Sequence, residues 1–439
     1  MKNISTFQMI LLVVFGALLL GGIFVMSTYS SGKKGNGAVG KVVIWGTLPS
    51  QSFRTALGDI SQQNQEMKEV SYVYKNPTEF DSILTTAIAS GDGPDLILIP
   101  QTHLASLRSV LTPIPYTSFS QRNFLNAFAD VATVYLSSRG SYGIPLLVDP
   151  LVLYYNRTLL SSESIARPPR TWDELSGLVP LFTKKIATGE LSQVLIPLGT
   201  YNNVHDATAI LSTLFMQAGV PIVKRTSSGE VRGALLNASG VSNTTGTSNS
   251  AGVEVLGFYT QFADPTKTTY NWNSTLPNSQ QMFLAGNAAL YIGYASEAKF
   301  FTQANPNLSF DVTSVPQSSV SKIKTVYAKV YAFSLPHGSR NIRGAVTVAS
   351  ALSNASPESI IAKATGLTPV LRSLLSSRPS SPTESTAYSA AIMSRTWLSP
   401  SKATTGSIFS GMISQVNAGQ LSIPDALTRA EQAITATLQ

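Results

Sequence analysis

The sequence predicts an α/β protein built from two lobes and preceded by one N-terminal membrane-spanning helix. Its 439 residues exceed the roughly 250–300 residues that one hydrophobic core usually organises. Apolar runs with strand character alternate with helical patterns, which is typical of a parallel sheet covered by helices. An uncharged apolar run at residues 9–26 would give about 27 Å of helix, close to the hydrocarbon thickness of a bilayer.

The N-terminal segment, residues 1–30, is interpreted as a membrane anchor, with a cleaved signal peptide as the alternative. The apolar part of a signal peptide usually covers about 7–15 residues, fewer than here. Lys2 precedes the run and Lys33 and Lys34 follow it, so the charges leave the orientation open. The short leader favours a body on the extracytoplasmic side. Residues 31–40 then form a flexible linker.

Composition excludes several classes of function. Hydrophobic residues make up 43% and charged residues 12%, which favours a folded body over disorder. The net charge is +8, but no basic stripe with interleaved aromatics occurs, so we expect no nucleic-acid partner. There is no Cys for a disulfide or a thiolate site. His103, His205 and His337 are far apart, so we expect neither a metal site nor a cofactor.

The α/β alternation starts immediately after the linker. Residues 41–45 and 70–74 predict strands, since short apolar or alternating runs are bounded there by turn residues. Residues 80–88 carry an apolar helical face that stops at the sequence G-D-G-P. An apolar strand at 96–99 follows. This strand–helix–strand order is the unit of a parallel sheet.

The middle of the chain contains a change of pattern. Residues 142–160 predict two strand-like runs that meet at Asp149 and Pro150, where a ring without an N–H interrupts the ladder. Thr171, with a Glu three residues later, predicts a capped helix start, and residues 199–203 lead into another helix that Asn202 or Asn203 caps. Residues 226–252 predict a long polar loop. Further strands are expected at 288–292, 310–315 and 326–335, and further helices at 251–262, 342–352, 406–418 and 423–438.

Five motifs occur in a characteristic order: K-V-V-I-W at 41–45, A-S-G-D-G-P-D-L-I at 89–97, Y-G-I-P-L-L-V-D-P-L-V-L-Y-Y-N at 142–156, P-R-T-W-D-E-L at 169–175 and F-L-A-G-N-A-A-L-Y-I-G at 283–293. Together, from about residue 41 to the C-terminus, they resemble the family 1 extracellular solute-binding proteins of ABC importers, the maltose-binding type. The resemblance implies a two-lobed periplasmic-binding-protein-like fold of type II that closes over a solute. It assigns residues 41–148 and 313–352 to lobe one, and 149–312 and 353–439 to lobe two.

The resemblance also implies a set of ligand-binding residues in the loops that face the other lobe. Aromatic faces in such a cleft cover the C–H side of a sugar ring, while carboxylates and amides bind its hydroxyl groups. The maltodextrin branch carries Trp where this chain has Ile99 and Ser296, so a shorter sugar, a polyol or another small polar solute is expected. The implied residues are Trp45, Gly46, Thr47, Gln101, Thr102, Asp149, Tyr201, Asn202, Tyr294, Ser296, Glu297 and Trp397.

The expected function is capture of a small solute, above all a sugar, by a monomeric body that catalyses nothing and delivers the solute to an ABC importer permease in the membrane. A membrane-tethered glycosidase is the second hypothesis, because two catalytic carboxylates need no local motif. No nucleophile elbow, P-loop or metal-ligand spacing supports an enzyme. A sensory binding module without transport is the third hypothesis.

Overall fold

The computed structural model describes residues 39–227, 230–236, 250–321, 324–377 and 379–438. The predicted membrane span at 9–26 lies outside these residues, as does most of the predicted loop at 226–252 and of the linker. No helix within the described ranges is both long enough and apolar enough to cross a bilayer.

Within the part of the chain that the structure describes, the strands form one large mixed sheet and two small hairpins. The large sheet has 10 strands, with the main order β10-β5-β12-β3-β1-β2; β11 and β13 pair with β5, and β4 and β14 pair with β12. The strands are β1 (Val42–Gly46), β2 (Val70–Tyr74), β3 (Leu96–Pro100), β4 (Leu111–Thr112), β5 (Ile144–Asn156), β6 (Lys184–Lys185), β7 (Leu191–Gln193), β8 (Val223–Arg225), β9 (Val231–Gly233), β10 (Leu290–Tyr294), β11 (Phe310–Thr313), β12 (Val326–Pro336), β13 (Thr368–Pro369) and β14 (Ser394–Arg395).

Helices separate most of the strands along the chain. Short 3₁₀ segments at Gln65–Met67, Gln101–His103, Arg108–Val110, Asp130–Tyr135 and Gln261–Ala263 connect them. The helices are α1 (Ser50–Gln63), α2 (Phe80–Ser90), α3 (Leu104–Leu107), α4 (Gln121–Ala127), α5 (Arg157–Ser162), α6 (Trp172–Phe182), α7 (Ala207–Gln217), α8 (Ala251–Thr260), α9 (Ser279–Leu284), α10 (Glu297–Ala304), α11 (Ile342–Leu352), α12 (Ala355–Thr365), α13 (Arg372–Leu375), α14 (Pro382–Met393), α15 (Lys402–Asn417) and α16 (Ile423–Leu438).

The predicted strand–helix–strand unit is confirmed. β1 lies parallel to both β2 and β3. Helix α1 buries Phe53, Ala56, Leu57 and Ile60, the spacing of one helical face, and each fully buried large apolar side chain contributes about 1.5–3 kcal/mol. Helix α2 ends at Gly91, which has a φ of 78°. Glycine adopts this left-handed conformation without a Cβ penalty, so the G-D-G-P sequence does stop the helix.

The buried hydrophobic side chains form two separate clusters, which we call the first and the second core. The first core draws on residues 42–148 and 328–375, together with Ala391. The second core draws on residues 151–327 and 387–434. The sequence assigned 353–375 to the second lobe, but α12 packs on α1, and this contact places Ile361 in the first core. The sequence also assigned 313–327 to the first lobe, whereas Val315 is buried in the second core.

β5 and β12 are long strands that pass from one core into the other. The predicted interruption at Asp149 and Pro150 is wrong, because β5 is continuous across both residues. Residues 144–150 of β5 pair with β12, and residues 151–155 pair with β10. Pro150 lies at the boundary between the residues of β5 that pair with β12 and those that pair with β10. Its missing N–H therefore does not interrupt the strand.

Of the two predicted helix starts, one is confirmed and one is wrong. The Thr171 side chain accepts a hydrogen bond from the Glu174 backbone N–H at 3.2 Å, as the capping pattern predicts, although the Glu174 carboxylate bonds to the N–H one residue before the cap. Neither Asn202 nor Asn203 caps α7, which begins at Ala207. The Asn203 amide instead donates to two carbonyl groups of the loop at 273–276, at 2.9 and 3.0 Å.

Candidate functional site

A cleft of about 680 Å³ lies where the two cores meet. Loops of the first core form one wall, β5 and β12 form the floor, and loops and helix ends of the second core form the other wall. The lining residues are Thr47, Leu48, Pro49, Thr102, Thr365 and Leu367 on the first side; Asp149, Tyr327, Lys329 and Tyr331 on the floor; and Tyr201, Asn202, Val204–Ala209, Asn278, Tyr294, Ser296, Glu297, Trp397, Ser399, Lys402 and Thr405 on the second side.

The floor is chemically polar although it belongs to buried strands. Tyr327, Lys329 and Tyr331 alternate along β12, and side chains two residues apart point to the same face of a strand. Lys329 pairs directly with Asp149 of β5 in the antiparallel register. A cation and a carboxylate therefore lie opposite each other where both strands pass between the cores.

Asp149 is 3% exposed and holds the loop that follows β10. Its Oδ1 accepts from the Ser296 backbone N–H at 3.1 Å, and its Oδ2 accepts from the Ser296 hydroxyl at 2.7 Å. Burial raises the pKa of Asp149 to about 6, against the opposing effects of the Lys329 charge and of the Ser296 hydrogen bonds. At neutral pH the group is thus mostly ionised, and both of its oxygens already have protein partners.

Glu297 is the first residue of α10, and its carboxylate is also held by the protein. Oε1 accepts from the Tyr294 backbone N–H at 2.7 Å, while Oε2 accepts from the Gln280 amide at 2.8 Å and from the Tyr291 hydroxyl at 2.7 Å. Burial, and next the neighbouring Asp206, raise the pKa of Glu297 to about 7. Burial likewise raises the pKa of Asp206, although Lys329 opposes the shift. The two carboxyl groups interact closely enough to share a proton.

His205 completes a group that could hold a metal ion. One ligand atom from each of His205, Asp206 and Glu297 lies within 4.8 Å of the others. The sequence pattern excluded a metal site because the histidines are far apart, and it could not show that α10 brings Glu297 to the start of α7. Burial lowers the pKa of His205, and the charge of Lys329 adds to this effect. The same positive charge opposes a bound cation.

Aromatic side chains lie around these charges. The Lys329 ammonium lies 3.5 Å from the ring centroid of Tyr294, so this ring face already binds a cation. The Tyr201 hydroxyl is 2.7 Å from the Thr208 hydroxyl. Trp397 donates its indole N–H to the Ser212 hydroxyl at 3.0 Å, which fixes the orientation of its ring. These contacts leave the aromatic groups ordered before any solute enters.

The structure brings most of the implied ligand-binding residues together. The cleft is lined by Thr47, Thr102, Asp149, Tyr201, Asn202, Tyr294, Ser296, Glu297 and Trp397. Three others, Trp45, Gly46 and Gln101, do not line it. The Trp45 ring is half-buried and packs against the Lys75 ammonium at 3.9 Å. A Cβ added at Gly46 would lie 2.7 Å from the Tyr72 hydroxyl, so this glycine permits a close approach within the sheet.

Gln101 is a structural residue and not a wall of the cleft. Its side chain is 0% exposed and accepts from the Val330 backbone N–H at 2.8 Å. Its amide donates to the Tyr327 hydroxyl at 3.0 Å and to the Thr396 hydroxyl at 2.8 Å. Gln101 therefore orients Tyr327, which does line the cleft, and its polar groups are satisfied without a solute.

Sequence reasoning missed several polar residues of the cleft, above all Asp206, Tyr327, Lys329, Tyr331 and Lys402. The β12 residues have a recognisable signal, because tyrosine and lysine recur every second position in an otherwise apolar strand. Asp206 and Lys402 carry no such signal. Each lies at the N-terminal end of a helix, and only the packing of α7 and α15 directs those ends to the cleft.

Comparison with known proteins gives a consistent result. A maltotriose-binding protein from Pyrococcus abyssi (strain GE5 / Orsay) is 24% identical over 137 residues, which are 31% of this chain and 29% of that protein. The chain therefore matches less than a third of the length of this relative. The structure of a cyclo/maltodextrin-binding protein complexed with maltotetraose is similar, with a TM-score of 0.71 and 17% identity over 93% of this chain and 99% of that one. The cyclic alpha-maltosyl-1,6-maltose binding protein from Arthrobacter globiformis gives a TM-score of 0.73 and 18% identity over 91% and 98%.

These structural similarities confirm the predicted α/β fold of two lobes. The family model described as bacterial extracellular solute-binding protein matches residues 57–356, which is more than half of the chain. The match begins within α1 and runs through both long crossing strands into α12. The protein belongs to the family of bacterial extracellular solute-binding proteins.

Proposed function

We propose that this protein captures a small sugar in the cleft between its two cores and delivers it to an ABC importer permease. The observation that carries the proposal is the cleft itself. Its walls come from both cores, and its floor consists of the only two strands of the described sheet that run through both, β5 and β12. A solute in this position contacts both halves of the molecule, so binding can favour a closed arrangement.

The chemistry of the cleft suits a sugar. Five aromatic side chains face it, namely Tyr201, Tyr294, Tyr327, Tyr331 and Trp397, and aromatic faces pack on the apolar side of a sugar ring. The volume of about 680 Å³ falls in the range of roughly 300–1,000 Å³ that small-molecule sites occupy. The relatives and similar structures carry names or ligands of maltooligosaccharides and other sugars. The loop after β10 offers Ser296 in place of an aromatic platform, which favours a shorter sugar over a long glucan.

We place the lobe boundaries by the two cores. Lobe one then comprises residues 39–148 and 328–375, and lobe two comprises 151–327 and 379–438, with Asp149 and Pro150 at the junction. The lobes would hinge where β5 and β12 change core. Asp149 and Lys329 lie at this point, so the residues that contact the solute also lie at the hinge.

The location follows from the family, whose members are extracellular, so the body lies on the extracytoplasmic side. We propose in addition that residues 9–26 anchor the protein in the membrane, that residues 31–40 act as a tether, and that the body works as a monomer beside its permease. Cleavage at residues 27–30 would instead release the body. N-terminal sequencing of the purified protein distinguishes an intact anchor from a processed chain.

Thermal shift and calorimetry on a panel of sugars test the proposal. The panel should include maltose, maltotriose, mannobiose and tagatose. A true ligand at 100 times its dissociation constant stabilises the protein by about 2.7 kcal/mol. Asp149→Asn should weaken the shift strongly without unfolding the protein, since the side chain keeps its shape. Asp92→Asn is the matched control, because Asp92 is exposed and lies outside the cleft.

The same panel addresses the two other hypotheses. The carboxyl groups of Asp149 and Glu297 are held by protein donors, which leaves them poorly placed as a free acid and a free base. Family membership also favours binding over hydrolysis. Release of a product from a glycoside would support the enzyme, whereas stoichiometric binding without turnover would support the binding protein. A sensory role requires that the protein binds its solute without supporting transport. Transport assays in membrane vesicles would show whether a permease uses the bound solute.

A further inference from the structure

Two lysines that line the cleft form no ion pair among the described residues, whereas the carboxylates of Asp149 and Glu297 already accept from protein donors. This inference rests on the proposed function and concerns the class of solute. Asp149 uses both oxygens on Ser296, and Glu297 uses both on the Tyr294 N–H, Gln280 and Tyr291. Oδ2 of Asp206 is buried and has no hydrogen-bond partner among the described residues. The carboxylates of Asp149 and Glu297 therefore have protein donors before a solute binds, although each still has lone pairs that can accept from a solute.

Two lysines provide the free donors. Lys329 rises from the floor, and Lys402 lies at the first residue of α15, on the second side of the cleft. Among the described residues, neither ammonium forms a hydrogen bond or an ion pair within 4.0 Å. Lys329 instead lies over the Tyr294 ring. An ammonium group has three donors and no acceptor, so both can bind solute oxygens.

The position of Lys402 strengthens this reading. It begins a helix of 16 residues, and the positive end of a helix dipole repels a cation and attracts an anion. Partial desolvation and the charge of Lys329 both lower the pKa of Lys402, so the two lysines lie close enough to repel each other. An anionic group between them would relieve the repulsion and would also meet the helix N-terminus.

The acids of the cleft interact with both lysines, and more strongly with Lys329 than with Lys402. Asp149 faces Lys329 across the strands and is mostly ionised at neutral pH. Asp206 and Glu297 both have raised pKa values, chiefly because they are buried, and a shared proton leaves the pair with less than its full charge. Asp206 also interacts with Lys402, but its pKa responds more to Lys329 than to Lys402, so Lys402 is the less compensated of the two lysines.

We propose that the solute carries an anionic oxygen group, as in a sugar acid or a sugar phosphate, and that Lys329 and Lys402 bind this group from the floor and from the second side of the cleft. The rest of the sugar would then contact the tyrosines and Trp397. Charge-assisted hydrogen bonds are roughly twice as strong as neutral ones, so the anionic group would dominate selection between otherwise similar sugars.

Matched pairs of ligands test this proposal by calorimetry with the full chain in detergent at pH 7. The pairs are glucose and glucuronate, galactose and galacturonate, and maltose and maltobionate, with glucose 6-phosphate added to distinguish a phosphate from a carboxylate. We expect at least one anion to bind about tenfold tighter than its neutral parent, and we expect added salt to weaken only the anion.

Single lysine variants identify the groups involved. Lys402→Gln should reduce the preference for the anion over its neutral parent about tenfold, and Lys329→Gln should act in the same direction. Lys299→Gln is the matched control, because Lys299 is exposed on α10 and does not line the cleft. Neutral sugars that bind as tightly as their acids would overturn this inference and leave the proposed function standing. Binding of no sugar, neutral or acidic, would overturn both.

Discussion

We predict that Glu358 makes the stability of the first core depend on pH. The residue lies in the first turn of α12 and is 0% exposed. Its Oε1 accepts from the backbone N–H groups of Val370 at 2.6 Å and Leu371 at 2.9 Å, which fixes the chain directly after β13. Its Oε2 is buried without a partner. A charge here lacks both water and a counter-ion, so burial raises the pKa of Glu358 to about 8.

The sign and size of the effect follow from this shift. The folded protein holds the proton more tightly than the unfolded chain, whose pKa is 4.5. Stability from this group is therefore complete below pH 4.5 and is lost as the pH rises towards 8. The full shift corresponds to about 5 kcal/mol, of which about 4 kcal/mol falls between pH 5 and pH 9.

Glu358→Gln separates this group from all others that titrate. The amide keeps an oxygen acceptor for the two N–H groups but cannot ionise. Urea unfolding at pH 5 and pH 9 gives the free energy of unfolding of each protein. The value for the variant minus the value for wild type should be about 4 kcal/mol larger at pH 9 than at pH 5. Glu384→Gln, an exposed change in the first turn of α14, should show no such movement. The same difference at both pH values for Glu358→Gln would refute the reasoning.

Two further substitutions test the polar supports of the cleft. Gln101→Leu removes the hydrogen bonds that Gln101 makes to the Val330 N–H and to the Tyr327 hydroxyl, and each unsatisfied buried group costs about 1–3 kcal/mol. Urea unfolding should therefore show a loss of stability in this range or above. An unchanged midpoint would contradict the role assigned to Gln101. Glu297→Gln removes a carboxyl group whose pKa burial raises to about 7. A raised pKa stabilises the folded protein most at low pH, so wild type should lose more stability than this variant between pH 5 and pH 8, and parallel profiles would contradict the raised pKa of Glu297.

The sheet of the first core could be predicted because its signals are local. β1, α1, β2, α2 and β3 follow one another with short connections, and Gly91 marks the end of α2 by its own backbone conformation. Helix α12 was not predicted from the sequence, and the reason is physical. Its buried positions include Glu358 beside Ile361 and Ala362, and a buried carboxyl group interrupts the apolar period by which an amphipathic helix is recognised.

The candidate site could be predicted where it consists of loops after strands, and not where it depends on pairing. Thr47 and Thr102 follow β1 and β3, and carboxyl ends of parallel strands share one edge. Gln101 occupies the same kind of loop, yet its side chain turns to β12, because the backbone N–H of Val330 needs an acceptor. Nothing in the residues near Gln101 shows that β12 will lie beside it. Lys329 was not predicted for the same reason, because its place in the site depends on the pairing of β12 with β5.

The pairing of Asp149 with Lys329 links solute capture to the geometry of the two lobes. Both residues lie where β5 and β12 leave the first core and enter the second. Asp149 also holds Ser296 of the second core through two hydrogen bonds.

A solute that draws Lys329 away from Tyr294 changes the charge that Asp149 faces, and Asp149 transmits this change to the loop that begins α10. Asp149 and Lys329 are thus placed both in the cleft and at the proposed hinge, so a variant that weakens binding at Lys329 should also change the relative population of open and closed forms. Lys402→Gln, outside the hinge strands, should weaken binding of an anion without that second effect, and small-angle X-ray scattering of the solute-free variants distinguishes the two.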